Sequence, residues 1–220
     1  TDSATVTVSR NLSATTDDNN GVINLGTLVV DGTIALATND DANDDSAHAT
    51  IVNTCSVCSY GLKFATSTVE GNLSATATTG NITQEGALTV RGTTTLVTSA
   101  QAATIDLSSI TTNGFTGELL ITTNDNDSPA DGEYVADVTI DGGTTNLIIG
   151  TSTIDGALNL LSGGTITDTN SSTVTVLKNL SATTDASNSA ITLDGLAVTG
   201  SIGLTTHGNG NAAVVNASAL

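Results

Sequence analysis

The two cysteines of the chain, Cys55 and Cys58, are separated by two residues. Thiols at this spacing form redox pairs, half of a zinc site, or a local disulfide. Zinc needs two more thiol or imidazole ligands, and the only histidines, His48 and His207, lie far apart in sequence. A redox pair needs a helix N-terminus to activate the thiol, and no helical pattern surrounds this one. The pattern favours a disulfide that pins a loop, with inert thiols, a bridge between chains and a metal site as alternatives.

A second group of chemical side chains is an acidic stretch that could supply oxygen ligands to calcium, which takes six to eight of them from a flexible loop. The candidate ligands are Asp125, Asn126, Asp127, Asp131 and Glu133. Their spacing does not match the twelve-residue EF-hand loop, and a solvated acidic turn is the competing interpretation. A looser version of the same pattern consists of Asp40, Asp41, Asp44 and Asp45. Calcium is the only cofactor that the sequence suggests, and none is required.

Seven asparagines stand in the acceptor sequence for N-linked glycans, Asn-x-Ser/Thr. They are Asn11, Asn72, Asn81, Asn126, Asn170, Asn179 and Asn216. A chain so rich in Thr, Ser and Asn contains several such sequences by chance. These positions are therefore glycosylation sites only if the source organism glycosylates.

The charge balance excludes several classes of function. The formal net charge is −18, and the only basic residues are Arg10, Lys63, Arg91 and Lys178. Such a surface repels nucleic acid and anionic lipid and attracts cations. The sequence contains no run of about 18 apolar residues and no basic leader, so we expect no membrane span and no signal peptide in this window. Carboxylates concentrated in loops, with 2% aromatic residues to hold a sugar, argue against an enzyme.

These candidate sites are set in a sequence that repeats. Residues 5–52 match residues 173–220 at an offset of 168, with 22 of 48 aligned positions identical. The apolar positions are retained best, which indicates a conserved core rather than a copied surface. We expect residues 1–220 to be one continuous segment cut from a longer array, with loop excursions at 39–65 and 124–133.

A shorter period of about 21 residues divides the long repeat into eight units. Each unit has an apolar alternation, a central glycine or polar residue, and a second alternation. The central positions are Gly32, Gly71, Gly92, Gly156 and Gly200, with Arg10 and Lys178 in the same place. Apolar residues two apart lie on one face of a strand, as in Leu28/Val30, Ile34/Leu36, Leu88/Val90, Leu158/Leu160 and Leu196/Val198.

Short strands joined by Gly/Asn/Asp corners every 21–22 residues are typical of a β-solenoid, a parallel β-helix in which each coil buries its apolar face against the next. A β-sandwich of short strands is the alternative, but it gives no reason for a period of about 21 residues. The sequence therefore predicts an all-β fold of about ten coils.

The phrases GNLSATATTGNITQEGALTVRGTTTLVT (residues 71–98) and GGTITDTNSSTVTVLKNLSATTD (residues 163–185) resemble the repeats of large bacterial surface and secreted adhesins, the filamentous-haemagglutinin-like family. The resemblance covers most of the chain outside residues 39–65 and 124–133. It implies a right-handed β-helix, an extracellular or cell-surface location, and a role as a stalk, adhesin or matrix fibre. The family supplies no catalytic residues, and the Cys55–Cys58 pair departs from its pattern.

The sequence thus predicts a structural fibre or stalk, whose partners are neighbouring copies of the same repeat, end to end or laterally. The first alternative is an adhesin that binds a partner or calcium through its side loops. The second is a carbohydrate-active β-helix enzyme.

Overall fold

A computed structural model describes residues 4–17, 19–41, 45–58, 60–125 and 134–217. Within these ranges the chain forms 24 β-strands and no helix. Accordingly, the described residues include no helical segment that is long and apolar enough to cross a membrane.

The strands are short and follow one another closely. The first part of the chain contains β1 (Val6–Val8), β2 (Leu12–Thr15), β3 (Ile23–Val30), β4 (Ile34–Ala37) and β5 (Ala49–Asn53). The middle contains β6 (Leu62–Phe64), β7 (Ser67–Val69), β8 (Leu73–Ala77), β9 (Ile82–Gln84), β10 (Leu88–Val90), β11 (Thr94–Thr98), β12 (Ile105–Leu107), β13 (Gly114–Phe115) and β14 (Glu118–Thr122). The last part contains β15 (Val138–Asp141), β16 (Leu147–Ile149), β17 (Ser152–Ile154), β18 (Leu158–Ser162), β19 (Ile166–Asp168), β20 (Val174–Val176), β21 (Leu180–Ser187), β22 (Ile191–Val198), β23 (Ile202–His207) and β24 (Ala212–Asn216).

The strands stack in parallel as a β-solenoid of about nine turns, which confirms the predicted fold. The middle part shows three faces per turn. One face stacks β6, β9 and β12, the second stacks β7, β10 and β13, and the third stacks β8, β11 and β14. There are fewer turns than the ten expected, because several corners are longer than the ordinary ones.

The core is a continuous column of inward aliphatic side chains with two phenylalanines, Phe64 and Phe115, as its largest members. The alternating residues that the sequence places on one face, such as Leu88 and Val90, are fully buried, and the residue between them points outward. Each inward side chain lies above its equivalent in the next coil, so the burial of one coil depends on its neighbours.

The predicted central positions lie at corners where the backbones of successive coils approach closely. The N–H of Gly92 donates to the carbonyl of Gly71 at 3.1 Å, and the N–H of Gly200 donates to the carbonyl of Lys178 at 3.0 Å. A Cβ atom on Gly92 would lie 2.8 Å from the carbonyl carbon of Gly71 and 2.9 Å from the nitrogen of Asn72. This position therefore excludes a side chain because the neighbouring backbone occupies its space.

The faces are not continuous along the whole rod. Strand β4 pairs with two strands of the next turn, with β6 through Ile34 and Phe64 and with β7 through Ala37 and Thr68. Strand β14 divides in the same way between β16 and β17. At each of these two junctions one face divides, one continues and one ends, so the stacking advances by one face around the axis.

The two junctions are equivalent, and a buried serine supports each of them. The Ser67 hydroxyl accepts the N–H of Leu36 at 3.1 Å, and the Ser152 hydroxyl accepts the N–H of Ile121 at 3.0 Å. Both members of the second pair lie 85 residues after those of the first. The 168-residue repeat therefore consists of two similar halves.

The structure also corrects the number of coils in the long repeat. Strands β2 and β21 are equivalent at the 168-residue offset, and the pairing path between them runs through β4, β6, β9, β12, β15 and β18. That path has seven steps, against the eight units expected from the sequence. The difference arises because the dividing strands and long corners use more than 21 residues per turn.

The match at an offset of 168 changes after strand β4. Ile23 pairs with Ala49 in the first copy, whereas its counterpart Ile191 pairs with Ala212 in the second. The sequences of β5 and β24, ATIVN and AAVVN, agree at this shifted alignment. The corner before β24 is thus five residues shorter than the corner before β5, and the acidic residues of the first copy lie in that extra length.

Replacing Gly92 by alanine is expected to lower the free energy of unfolding by about 2 kcal/mol, because the new methyl group meets backbone that cannot move independently. The measurement is the urea dependence of the far-ultraviolet circular dichroism signal.

Gly203→Ala is the matched control. The nearest atom to a Cβ at Gly203 is 4.0 Å away, and we expect a change within about 0.5 kcal/mol. Equal losses for the two variants would contradict the close approach at the Gly92 corner.

Candidate functional site at the corners of the solenoid

Asparagine side chains connect successive coils at the corners. The carboxamide oxygens of Asn72, Asn81 and Asn179 each accept a backbone N–H of the next coil at 2.9 Å. Asn11 makes the same bond to Thr33 at 3.0 Å. The glycosylation prediction thus falls largely on residues that hold the stack together, although their side chains stand at exposed corners.

The remaining predicted acceptors differ from this pattern. Asn170 is exposed, and the side chain of Asn216 pairs with the backbone of Val198. Asn126 lies outside the described residues. Glycosylation stays a prediction at all seven positions.

The two acidic loops are enlarged forms of an ordinary corner. At ordinary corners a threonine hydroxyl donates to a carbonyl five residues later, as Thr98 does to Ala103 at 3.3 Å. The same bridge spans nine residues between Thr38 and Ala47 and thirteen residues between Thr123 and the carbonyl of Ala136. Both loops are therefore inserted above a conserved threonine bridge, and the coil beneath them is undisturbed.

A carboxylate closes the base of each loop. The Asp40 carboxylate accepts the N–H of Asp45 at 3.0 Å, and the Asp125 carboxylate accepts the N–H of Val135 at 2.7 Å. Asp125 also accepts a hydrogen bond from the Gln101 side chain at 2.6 Å. These carboxylates stabilise the loop base through backbone N–H groups, a role that a sequence pattern for calcium does not distinguish from metal binding.

The remaining predicted calcium ligands, Asn126, Asp127, Asp131 and Glu133, lie outside the described residues, as does Asp44. Within the part of the chain that is described, no three His, Cys, Asp or Glu side chains are grouped as a metal site would require. Calcium binding stays a prediction.

Each loop also rests on an acidic corner of the next coil. The N–H of Asp40 donates to the Glu70 carboxylate at 2.7 Å, and the N–H of Asp125 donates to the Asp155 carboxylate at 3.0 Å. Glu70 and Asp155 end the phrases TSTVEG and TSTIDG, which lie 85 residues apart. This pair of phrases is the sequence signal that could have revealed the half-repeat and the equivalence of the two loops.

His48 belongs to this corner and not to a metal site. Its Nδ1 accepts the N–H of Asn72 at 2.9 Å. At the equivalent corner of the second half, the Asp137 carboxylate accepts the N–H of Ala157 at 2.7 Å. Imidazole and carboxylate thus perform the same task of satisfying a backbone donor of the next coil.

Cys55 and Cys58 are joined in a disulfide whose Cα atoms are 5.5 Å apart, a distance typical of such bonds. Cys55 is buried, and its carbonyl accepts the hydroxyl of Thr79 at 2.6 Å. The Sγ atom of Cys58 lies 3.4 Å from the carbonyl oxygen of Val30. The disulfide turn therefore covers the edge of β3, where the first face ends.

Two of the basic residues bridge neighbouring coils. Lys63 pairs with Glu85 at 2.6 Å and lies 4.0 Å from the ring centroid of Tyr60. Arg91 pairs with Asp45 at 3.5 Å. In a chain of net charge −18, these cations offset the repulsion between stacked carboxylates. Exposed pairs of this kind contribute about 0.2–1 kcal/mol each.

Comparison with known proteins gives one family match. A family described as repeats of unknown function (DUF5649) matches residues 52–122, which is less than half of the chain. That stretch extends from the end of β5 to the end of β14 and so covers the three-faced middle part. The curated proteins and the solved structures gave no match. The comparison supports a repeat protein, while the resemblance to haemagglutinin-like adhesins stays a prediction.

Replacing His48 by alanine is expected to lower the free energy of unfolding by about 1 kcal/mol, because the N–H of Asn72 loses its acceptor. His48→Asp is expected to restore most of this loss, because Asp137 already performs the task at the equivalent corner. Urea unfolding measures the effect, and hydrogen exchange at the Asn72 amide localises it. An alanine variant as stable as the parent chain would contradict this role, and so would an aspartate variant no better than alanine.

Proposed function

We propose that the chain is a structural spacer of a longer extracellular repeat protein, forming part of a fibre or cell-surface stalk. The observation that carries the proposal is the use of polar corner side chains. Asn72, Asn179, His48 and Asp137 all bind backbone groups of the next coil. Side chains that elsewhere supply chemistry here extend the stack, and in this proposal the segment has no catalytic role.

The recurrence of the whole unit supports the same proposal. A solenoid gains length by adding coils, and each coil contacts only its neighbours. The 168-residue unit begins again at Thr173 in the same chain, so one copy is followed covalently by the start of the next. We infer that neighbouring copies are partners end to end in one chain.

Charge and redox chemistry support an extracellular setting. A net charge of −18 keeps long rods apart and in solution through mutual repulsion. The Cys55–Cys58 disulfide belongs to oxidising compartments. The repeat style that resembles secreted adhesins agrees with both points.

An adhesin is the second candidate function, and the enlarged corners favour it. The loops above Thr38 and Thr123 occur at equivalent corners of the two halves, whereas the third such corner, after Thr206, is short. A pair of insertions above an unchanged framework is the arrangement expected of recognition loops carried by a scaffold. Calcium bound by these loops belongs to this candidate.

A series of proteins with one, two and three copies of the 168-residue unit tests the spacer. Seven coil steps per copy predict that the maximum dimension grows by about 34 Å per copy at constant cross-section, since strands stack about 4.8 Å apart. Small-angle X-ray scattering measures both quantities. A cross-section that grows with copy number would show that the copies fold back on one another, and the spacer would be excluded.

Location is tested separately with antibodies raised against this segment. Labelling of intact cells of the source organism is expected, with a cytosolic protein as the negative control. Labelling only after permeabilisation would contradict the cell-surface role.

A further inference from the structure

The three places where a face of the solenoid ends are equivalent, but only two of them are closed. In parallel pairing, alternate residues direct their N–H and C=O groups toward the two neighbouring strands. Thr116 donates its N–H to Val90 at 3.0 Å, so Gly114 and Thr116 bond toward β10, and Phe115 between them faces the opposite side. Val30 and Val198 have the same orientation, because Asp31 and Thr199 donate to the preceding coil.

Asparagine side chains close the first and third edges. Asn53 accepts the N–H of Val30 at 2.9 Å and donates to its carbonyl at 3.1 Å. Asn216 accepts the N–H of Val198 at 2.8 Å and donates to its carbonyl at 3.0 Å. In both cases one carboxamide takes the place of the peptide group that a further strand would supply.

The second edge has glycine where the others have asparagine. Asn53 and Asn216 end strands β5 and β24, and the equivalent position after β15 is Gly142. The nearby Asn113 is committed elsewhere, because its oxygen accepts the N–H of Leu88 at 2.9 Å and its nitrogen donates to the Asp141 carbonyl at 3.0 Å. Within the described part of the chain, β13 pairs with β10 alone.

A cleft lies beside this open edge. It has a volume of about 400 Å³ and is lined by Phe115, Thr116, Thr144, Thr145, Asn146 and Ile148. At the first edge the disulfide turn leaves a cleft of only about 160 Å³. The larger volume is within the range of ordinary ligand sites, and its polar lining consists of hydroxyl and amide groups.

We propose that the edge of β13 binds an extended segment of a separate polypeptide, which pairs with the N–H and C=O of Phe115 by β-strand addition. The chain itself shows which chemistry the edge selects, since both equivalent edges are occupied by an amide. A basic segment is favoured because the chain has a net charge of −18 and Glu118 and Asp141 flank this site in sequence.

The probe is a synthetic peptide of residues 86–92 (GALTVRG), acetylated and amidated. It contains the sequence of β10, which already pairs in parallel with the other edge of β13, and it carries one arginine. The control is the same peptide with N-methyl groups on the amides of its Leu and Val residues, which removes backbone donors without altering side chains. Fluorescence anisotropy of labelled peptides and hydrogen exchange at the Phe115 amide are the measurements.

Gly142→Asn supplies the missing carboxamide, and Gly142→Ala adds the same Cβ without it. The Cβ lies 2.9 Å from the end of the flexible Leu147 side chain, so both variants share any packing cost. We expect Gly142→Asn to slow exchange of the Phe115 amide and to weaken peptide binding by about tenfold or more, because the chain then closes its own edge. The alanine variant is expected to retain peptide binding.

Four results would overturn the proposal. They are the absence of peptide binding at millimolar concentration, equal binding of the N-methylated peptide, equal binding by the Gly142→Asn variant, and binding that leaves exchange of the Phe115 amide unchanged. If instead the chain self-associates and Gly142→Asn abolishes this, the occupant is a second copy and a separate partner is excluded.

Discussion

The structure depends on the hydrogen bonds that connect one coil to the next. A coil of this solenoid has no core of its own, because its inward side chains are buried only when coils above and below cover them. The backbone has the same dependence, since the N–H and C=O groups of each strand point along the axis toward neighbouring strands. Stacking at about 4.8 Å satisfies both requirements together. It also brings the corner backbones close enough that glycine is required at Gly92.

Corners therefore determine what the polar residues do. A backbone donor at a corner has no strand partner, and its burial without an acceptor would cost about 1–3 kcal/mol. The chain satisfies these donors with whichever acceptor the sequence offers, an amide at Asn72, an imidazole at His48 or a carboxylate at Asp137. Metal ligands, glycan acceptors and catalytic carboxylates belong to the same residue types, which explains why they were candidates in the sequence. Strand faces with few chemical groups and corners with many are a direct result of this division.

Much of the fold could be predicted because period and alternation report burial directly. Leu88 and Val90 alternate with an exposed residue in sequence, and both are buried in the structure. The half-repeat was missed because corners of different length hide it, although TSTVEG and TSTIDG mark it plainly. The junctions could not be predicted, because the pairing of β4 with two strands depends on register between turns and leaves no local pattern. The open edge at Phe115 was also beyond reach, since it is defined by a glycine at position 142 whose meaning comes from Asn53 and Asn216.

The advance of one face at each junction has a consequence for the symmetry of a longer rod. The first acidic loop rests on the corner at Glu70, while the second leaves the solenoid one corner further around and rests on Asp155. Successive half-units are thus related by a screw operation with three orientations. Equivalent loops in an array would follow a shallow spiral, returning to one side at every third half-unit. Any curvature introduced at one junction would be turned to a new direction at the next, so the filament axis stays straight although no single half-unit is symmetric.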